Sequence, residues 1–279
     1  MMVVPDRELE VSFSVQRIES RFNRSAVLAH LRQILPALEA RASASSALSF
    51  GIPAIDRHLP GGGLSRDALH EFTAPAAIDM PAAFGFMAVL LGHTLLGEKG
   101  PALLALSGRD RVDFGQPYAH GLGGLGIPPG RLLLLETATD VQVLWAIEEA
   151  LRLRAVSAVA GWLGGKLDLN ASRRLQIAAE GSDALLLLLR PPQADEPNAA
   201  TTRWRVGAAP AARDRFGCFT RWRWRIALER CRNGRPGAWI VESSDPELSD
   251  AAHPFSLVGT LADPALLLGP EPQPLRRAG

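Results

Sequence analysis

The sequence predicts an α/β fold: a mostly parallel sheet flanked by helices, with antiparallel edge strands near the C-terminus. Three observations lead there. Short apolar segments alternate with helix-forming segments between residues 50 and 190, as a parallel sheet joined by crossover helices requires. The stretch Leu59–Leu91 reads as a glycine-rich turn, a strand, a loop and an apolar helix, which is the order of a phosphate-binding loop. From Arg221 to Leu228 arginines alternate with apolar residues at the period of a strand, and Asn233-Gly234 follows as a hairpin turn.

With 279 residues, 47% of them hydrophobic, the chain can build one α/β domain with a full core and small appendages. Two large domains would be crowded. A formal net charge of +1 excludes a global basic field, so any nucleic-acid contact must rest on a local patch. Cys218 and Cys231 are the only cysteines and form no CxxC pair, so reduced thiols are expected rather than a disulfide or a zinc site. The N-terminus lacks a basic-then-apolar signal pattern, and no apolar run reaches ~18 residues without a charge or glycine. The expectation is a soluble, cytoplasmic protein without a membrane segment.

In chain order, residues 1–20 are weakly patterned and read as a mobile leader. From Asn23 an amphipathic helix follows, with Val27, Leu28, Leu31, Ile34, Leu35 and Leu38 on one face and Pro36 kinking it. Residues 41–49 are small and polar, so leader, helix and linker form a first region, 1–46, before a core domain at 47–243. Its elements are a strand ending in Glu71-Phe72, a loop from Thr73 to Met80, helix 81–96 and strand Ala102–Leu106. A helix-forming region near Phe114–Leu122 and strand Leu132–Leu135 come next. Helix Asp140–Arg152, with Asp140 as its cap, strand Ala155–Ala160 and helix Ala171–Glu180 complete the series. Five consecutive leucines in Ala184–Leu189 demand a strand buried on both faces. From Ser244 the composition turns proline-rich, reading as a flexible tail at 244–279 in which Phe255–Leu268 could order on a partner.

The phosphate loop lacks its chemistry. Laid on GxxxxGK[ST], the motif positions fall on Ala74, Asp79, Met80 and Pro81. A carboxylate repels phosphate, methionine carries no charge, and proline has no hydroxyl for magnesium. Neither lysine, Lys99 or Lys166, stands in a GK[ST] context. No cofactor or metal is expected. His70-Glu71 does not extend to HExxH because position 74 is alanine, and the remaining histidines lack partners at a catalytic spacing.

Gly61-Gly62-Gly63-Leu64, the strand ending Glu71-Phe72, and Ala74-Pro75 are similar to the segment leading into the Walker A loop of bacterial RecA recombinases. LPGGGLSRDALHEF (59–72), LWAIEEALR (144–152), LDLNASRRLQIAAE (167–180), TTRWRVGAAP (201–210) and CRNGRPGAWIVE (231–242) together resemble the ImuA family more closely. That family comprises degenerate RecA-like, SulA-like proteins of bacterial damage-inducible mutagenesis cassettes, and the resemblance spans roughly residues 50–242. It implies a RecA-like core and a non-catalytic adaptor of SOS-induced translesion synthesis. Implied partners are an ImuB-like protein, an error-prone C-family DNA polymerase and, as a further candidate, RecA.

The Walker B position, at Val159-Ala160-Gly161-Trp162, offers no carboxylate. The strand carrying the water-orienting glutamate of RecA here ends Leu106-Ser107-Gly108-Arg109, so ATP hydrolysis is not expected. The two DNA-contacting loops correspond to Leu163–Leu167 and Arg190–Asn198; both are short and the second is acidic, implying weak or indirect DNA binding. Rival readings are a SulA-like division inhibitor acting on FtsZ and a mediator that binds single-stranded DNA.

Residues 201–235 hold ten arginines against Asp214 and Glu229, interleaved with Trp204, Trp222 and Trp224. Period-two alternation sends Trp222, Trp224, Ile226 and Leu228 to the core and Arg221, Arg223 and Arg225 to solvent on an edge hairpin. Those arginines are the candidate partner or DNA surface, with plain solvated edge as the third possibility.

Overall fold

Leucine- and alanine-rich segments too short for helices supply the interior strands. The computed structural model describes residues 16–18, 47–108, 114–192, 194–244 and 253–261. Along the chain run β1 (Gln16–Ile18), α1 (Pro53–Asp56), β2 (Leu69–Thr73), α2 (Met80–Gly97), β3 (Ala102–Ser107) and α3 (Ala119–Gly124). Then come β4 (Leu132–Thr137), α4 (Asp140–Arg152), β5 (Ala158–Trp162), α5 (Leu169–Ala179), β6 (Leu185–Leu189) and β7 (Thr202–Ala208). The last are β8 (Ala212–Arg213), β9 (Phe219–Arg221), β10 (Arg223–Cys231), β11 (Gly237–Ser243) and β12 (Phe255–Leu261).

One ten-stranded sheet has the order β1-β4-β3-β5-β6-β2-β7-β10-β11-β12, and β8 with β9 forms a separate small hairpin. Neighbours from β1 to β7 in that order are parallel; β10, β11 and β12 extend the sheet antiparallel. The α/β class with an antiparallel C-terminal extension is therefore what the chain adopts.

The leucine run is β6, enclosed between β5 and β2. Leu185, Leu187 and Leu189 join the core under α2, while Leu186 and Leu188 join the core under α4 and α5. Helices thus cover both faces. α2 is apolar all round because its position is central: Ala83, Phe86, Met87, Leu90 and Leu91 are all fully enclosed. Its length and composition would suffice to cross a membrane, yet most of it is buried inside the protein, as in a core helix. α4 shows the narrower apolar stripe of a surface helix, with Val143, Ala146, Ile147, Ala150 and Leu151 inward.

Several boundaries differ from expectation for local reasons. Thr139, not Asp140, caps α4, and the Gln142 side chain accepts the Thr139 N–H at 3.2 Å. Asp140 instead accepts the Gly164 N–H at 3.1 Å. α5 opens at Leu169 because the Asp168 carboxylate accepts the Ala171 N–H at 2.8 Å. Part of the segment expected as a tail is an edge strand: β12 pairs with β11, so residues 255–261 order on this sheet rather than needing a partner. Likewise residues 16–18, expected within a leader, form β1 at the opposite edge beside β4. The helix expected from Asn23 lies outside the described residues.

Candidate functional site at the carboxyl edge of the sheet

Open α/β sheets bind ligands beyond the carboxyl ends of their parallel strands. Here that edge carries the β2–α2 loop and the start of β10. Ala74 has no exposed surface and Met80 is buried in the core, as uncharged side chains at the edge of an apolar cluster are. Asp79 does not cap α2; its carboxylate accepts the Ala208 N–H at the end of β7, at 2.9 Å. Gly207 makes room for this stitch, since a Cβ there would lie 3.1 Å from Pro75. Pro81 is exposed in the first turn of α2, where its missing N–H costs nothing. At the end of β5, Trp162 packs against Phe84 and Phe114, with ring centroids 5.2 and 5.7 Å away.

Trp224, Ile226 and Leu228 face the core as alternation predicts, and Trp224 Nε1 donates to Ala82 O at 2.9 Å. Trp222 does not join them. It is 55% exposed: β7 pairs with β10 only as far as Ala208 opposite Trp224, and Trp222 lies one pleat beyond that end, bonded through its backbone to Ser243 of β11. β10 is also not an edge: it lies between β7 and β11, and β12 takes the edge.

Arg221 and Arg223 converge on Glu242 of β11, each donating at 2.9 Å. Burial pushes the Glu242 carboxyl up, but the hydrogen bonds from Arg223 and Arg221 outweigh it and hold the group below the usual carboxylate range. Arg225 is half-buried, its Nε without a hydrogen-bond partner among the described residues. The three arginines predicted as a surface do share one region, but two are committed to an internal carboxylate.

Between β7 and β10 the small β8–β9 hairpin projects, bearing Phe216 and Phe219, which are 75% and 47% exposed. Sequence reasoning passed over this tip. Its signal was Asp214 three residues before Gly217, a turn pattern set among aromatics.

A second missed cluster lies deeper. Glu71, fully buried on β2, accepts from Arg190 at 3.3 Å, Arg203 at 2.7 Å and Asn198 at 2.7 Å. Arg190 also reaches Glu196 at 3.2 Å, and Lys166 stands 3.9 Å from Glu196, so the two loops expected near DNA are tied to each other. His70 beside it is held neutral by burial, which lowers its pKa to about 4. Its Nε2 faces Ser65 O and its Nδ1 faces the Thr202 hydroxyl, both at 2.8 Å, leaving no ring nitrogen free for catalysis. Among the described residues no cluster of three or more His, Cys, Asp or Glu could hold a metal ion.

No family model matches the chain. It is 38% identical over 232 residues to Protein ImuA of Caulobacter vibrioides, in each of two strains, a match covering 77% of this chain and 90% of that protein. The chain belongs to the ImuA family. In this ImuA-family protein two of the five family-like segments meet at the carboxyl edge: residues 59–72 lead into β2 and its loop, and residues 201–210 run along β7 to the Asp79 stitch.

Proposed function

We propose that this ImuA-family protein is a non-catalytic adaptor of SOS-induced translesion DNA synthesis in the cytoplasm. The observation that carries the reading is Asp79: a carboxylate occupies the loop position of a phosphate-binding glycine and is spent on the Ala208 N–H, next to a buried Met80 in place of the lysine. A site built that way stabilises its own loop and repels a triphosphate. An assembly role remains for this edge, with an ImuB-like protein and an error-prone C-family polymerase as partners and RecA as a further candidate. Single-stranded DNA is bound weakly, since Arg221 and Arg223 are both engaged by Glu242, which offsets one of their two charges.

The test pairs calorimetry with capture. Titration with magnesium ATP should give no binding heat, and the purified ImuB-like protein or polymerase should be retained by immobilised full-length chain. Micromolar ATP affinity, or retention of neither protein, removes this reading.

A further inference from the structure

Two aromatic rings that the core does not use stand on the β8–β9 hairpin, and a third, Trp222, directly follows it. Phe216, Phe219 and Trp222 are 75%, 47% and 55% exposed, although each could bury a large apolar area. Isolated exposed apolar residues are ordinary on a protein surface, whereas a cluster marks an interaction site.

The tip is also rigid. The Asp214 carboxylate accepts the N–H groups of Phe216 and Cys218 at 2.8 and 2.9 Å, and the Gly217 N–H returns to Asp214 O at 3.0 Å. Arg213 donates to Gly217 O at 2.6 Å, and Gly217 takes a φ of +79° that a side chain would strain. Phe219 meets Trp222 edge to face at 4.7 Å, and the Arg215 guanidinium lies 4.7 Å from the Phe216 ring centre. None of these contacts supports the core. They hold the rings in place before any ligand arrives, which lowers the ordering entropy lost on binding.

The chemistry selects the ligand. A platform for single-stranded nucleic acid needs open ring faces on which successive bases can stack. Here Arg215 covers a face of Phe216, Phe219 meets Trp222 edge to face, and Glu242 holds Arg221 and Arg223 back against β11. What remains is the exposed Phe219–Trp222 pair with Phe216 at the hairpin tip, and a basic collar from Arg213 and Arg215. We infer that the β8–β9 hairpin anchors a protein partner by inserting Phe216, Phe219 and Trp222 into an apolar pocket rimmed by carboxylates. Aromatic anchors in such pockets dominate binding energy. The inference rests on the proposed adaptor role only for the choice of probes.

The test uses the full chain carrying Phe216→Ser, Phe219→Ser and Trp222→Ser together, whose melting temperature should match the parent because the rings are exposed. Calorimetry against the purified ImuB-like protein and the C-family polymerase should show affinity for one of them falling about tenfold or more. Fluorescence anisotropy with an oligothymidylate should show no comparable loss. A loss confined to the oligothymidylate overturns the inference, as does undiminished binding of both proteins without a protein adduct at position 216. Benzoylphenylalanine introduced at position 216 in DNA-damaged cells separates the two readings. An adduct on another protein, identified by mass spectrometry and binding the triple variant about tenfold more weakly when purified, upholds the anchor while removing the proposed partners. No protein adduct, with no affinity difference in either titration, overturns the anchor.

Discussion

Glu71 and Arg190 lie 3.3 Å apart in the middle of the sheet, and neither side chain has exposed surface. Arg203 and Asn198 both donate to the other carboxylate oxygen, Oε2. Removing one member of such a pair leaves the other charge uncompensated and dry. Glu71→Gln should therefore cost about 3–5 kcal/mol in urea unfolding, because Arg190 has no water to turn to. A loss below about 1 kcal/mol would show that Glu196 alone can hold Arg190.

Trp222 and Trp224 are neighbours by alternation and opposites by burial. Trp224→Ala should cost about 3–5 kcal/mol, the cavity and transfer terms of a buried ring. Trp222→Ala should stay below about 1 kcal/mol, as an exposed substitution does. Thermal melts of the two variants side by side decide it, and equal costs would mean that Trp222 is covered after all.

His70 makes folding sensitive to mild acid. Its folded pKa of about 4 lies below the ordinary 6.5, so the unfolded chain takes up a proton that the native one refuses. The contribution is complete above pH 6.5 and is lost as pH falls toward 4, up to about 3 kcal/mol. His93, also lowered chiefly by burial, acts in the same direction, whereas lowered carboxyls such as Glu242 act only below their unfolded range of 4.5. Urea melts at pH 7.5 and pH 5 should show the parent losing more stability than His70→Gln over that interval. Parallel losses would assign the acid sensitivity elsewhere.

Arg221 and Arg223 stabilise Glu242 as well as facing outward. Changing both to Ser leaves a largely buried carboxylate, 14% exposed, without its cations and should cost about 1–3 kcal/mol. Adding Glu242→Gln should recover part of that loss, the mark of a coupled set. If the double arginine variant melts like the parent, the pairing contributes nothing and both guanidinia serve the surface alone.

Composition and periodicity determined much of this architecture. Five leucines could only be an interior strand, and the apolar stripe of residues 140–152 could only be a helix on the sheet, because local pattern and burial agree there. The side chains at 74, 79, 80 and 81 are themselves given by the sequence, but that Asp79 is spent on the Ala208 N–H is visible only in the fold. Alternation also separated arginine from tryptophan along β10.

Tertiary structure decided what alternation cannot contain. Which strand is an edge depends on a segment thirty positions away, and β12 took that place from β10. Whether Trp222 is buried depends on where β7 stops, not on its own neighbours. Glu71 reads as an unremarkable polar strand residue until the chain brings Arg190, Asn198 and Arg203 around it. Sequence period records which face a residue points to; cover, charge pairing and solvent access come from distant segments, and only folding brings those into contact.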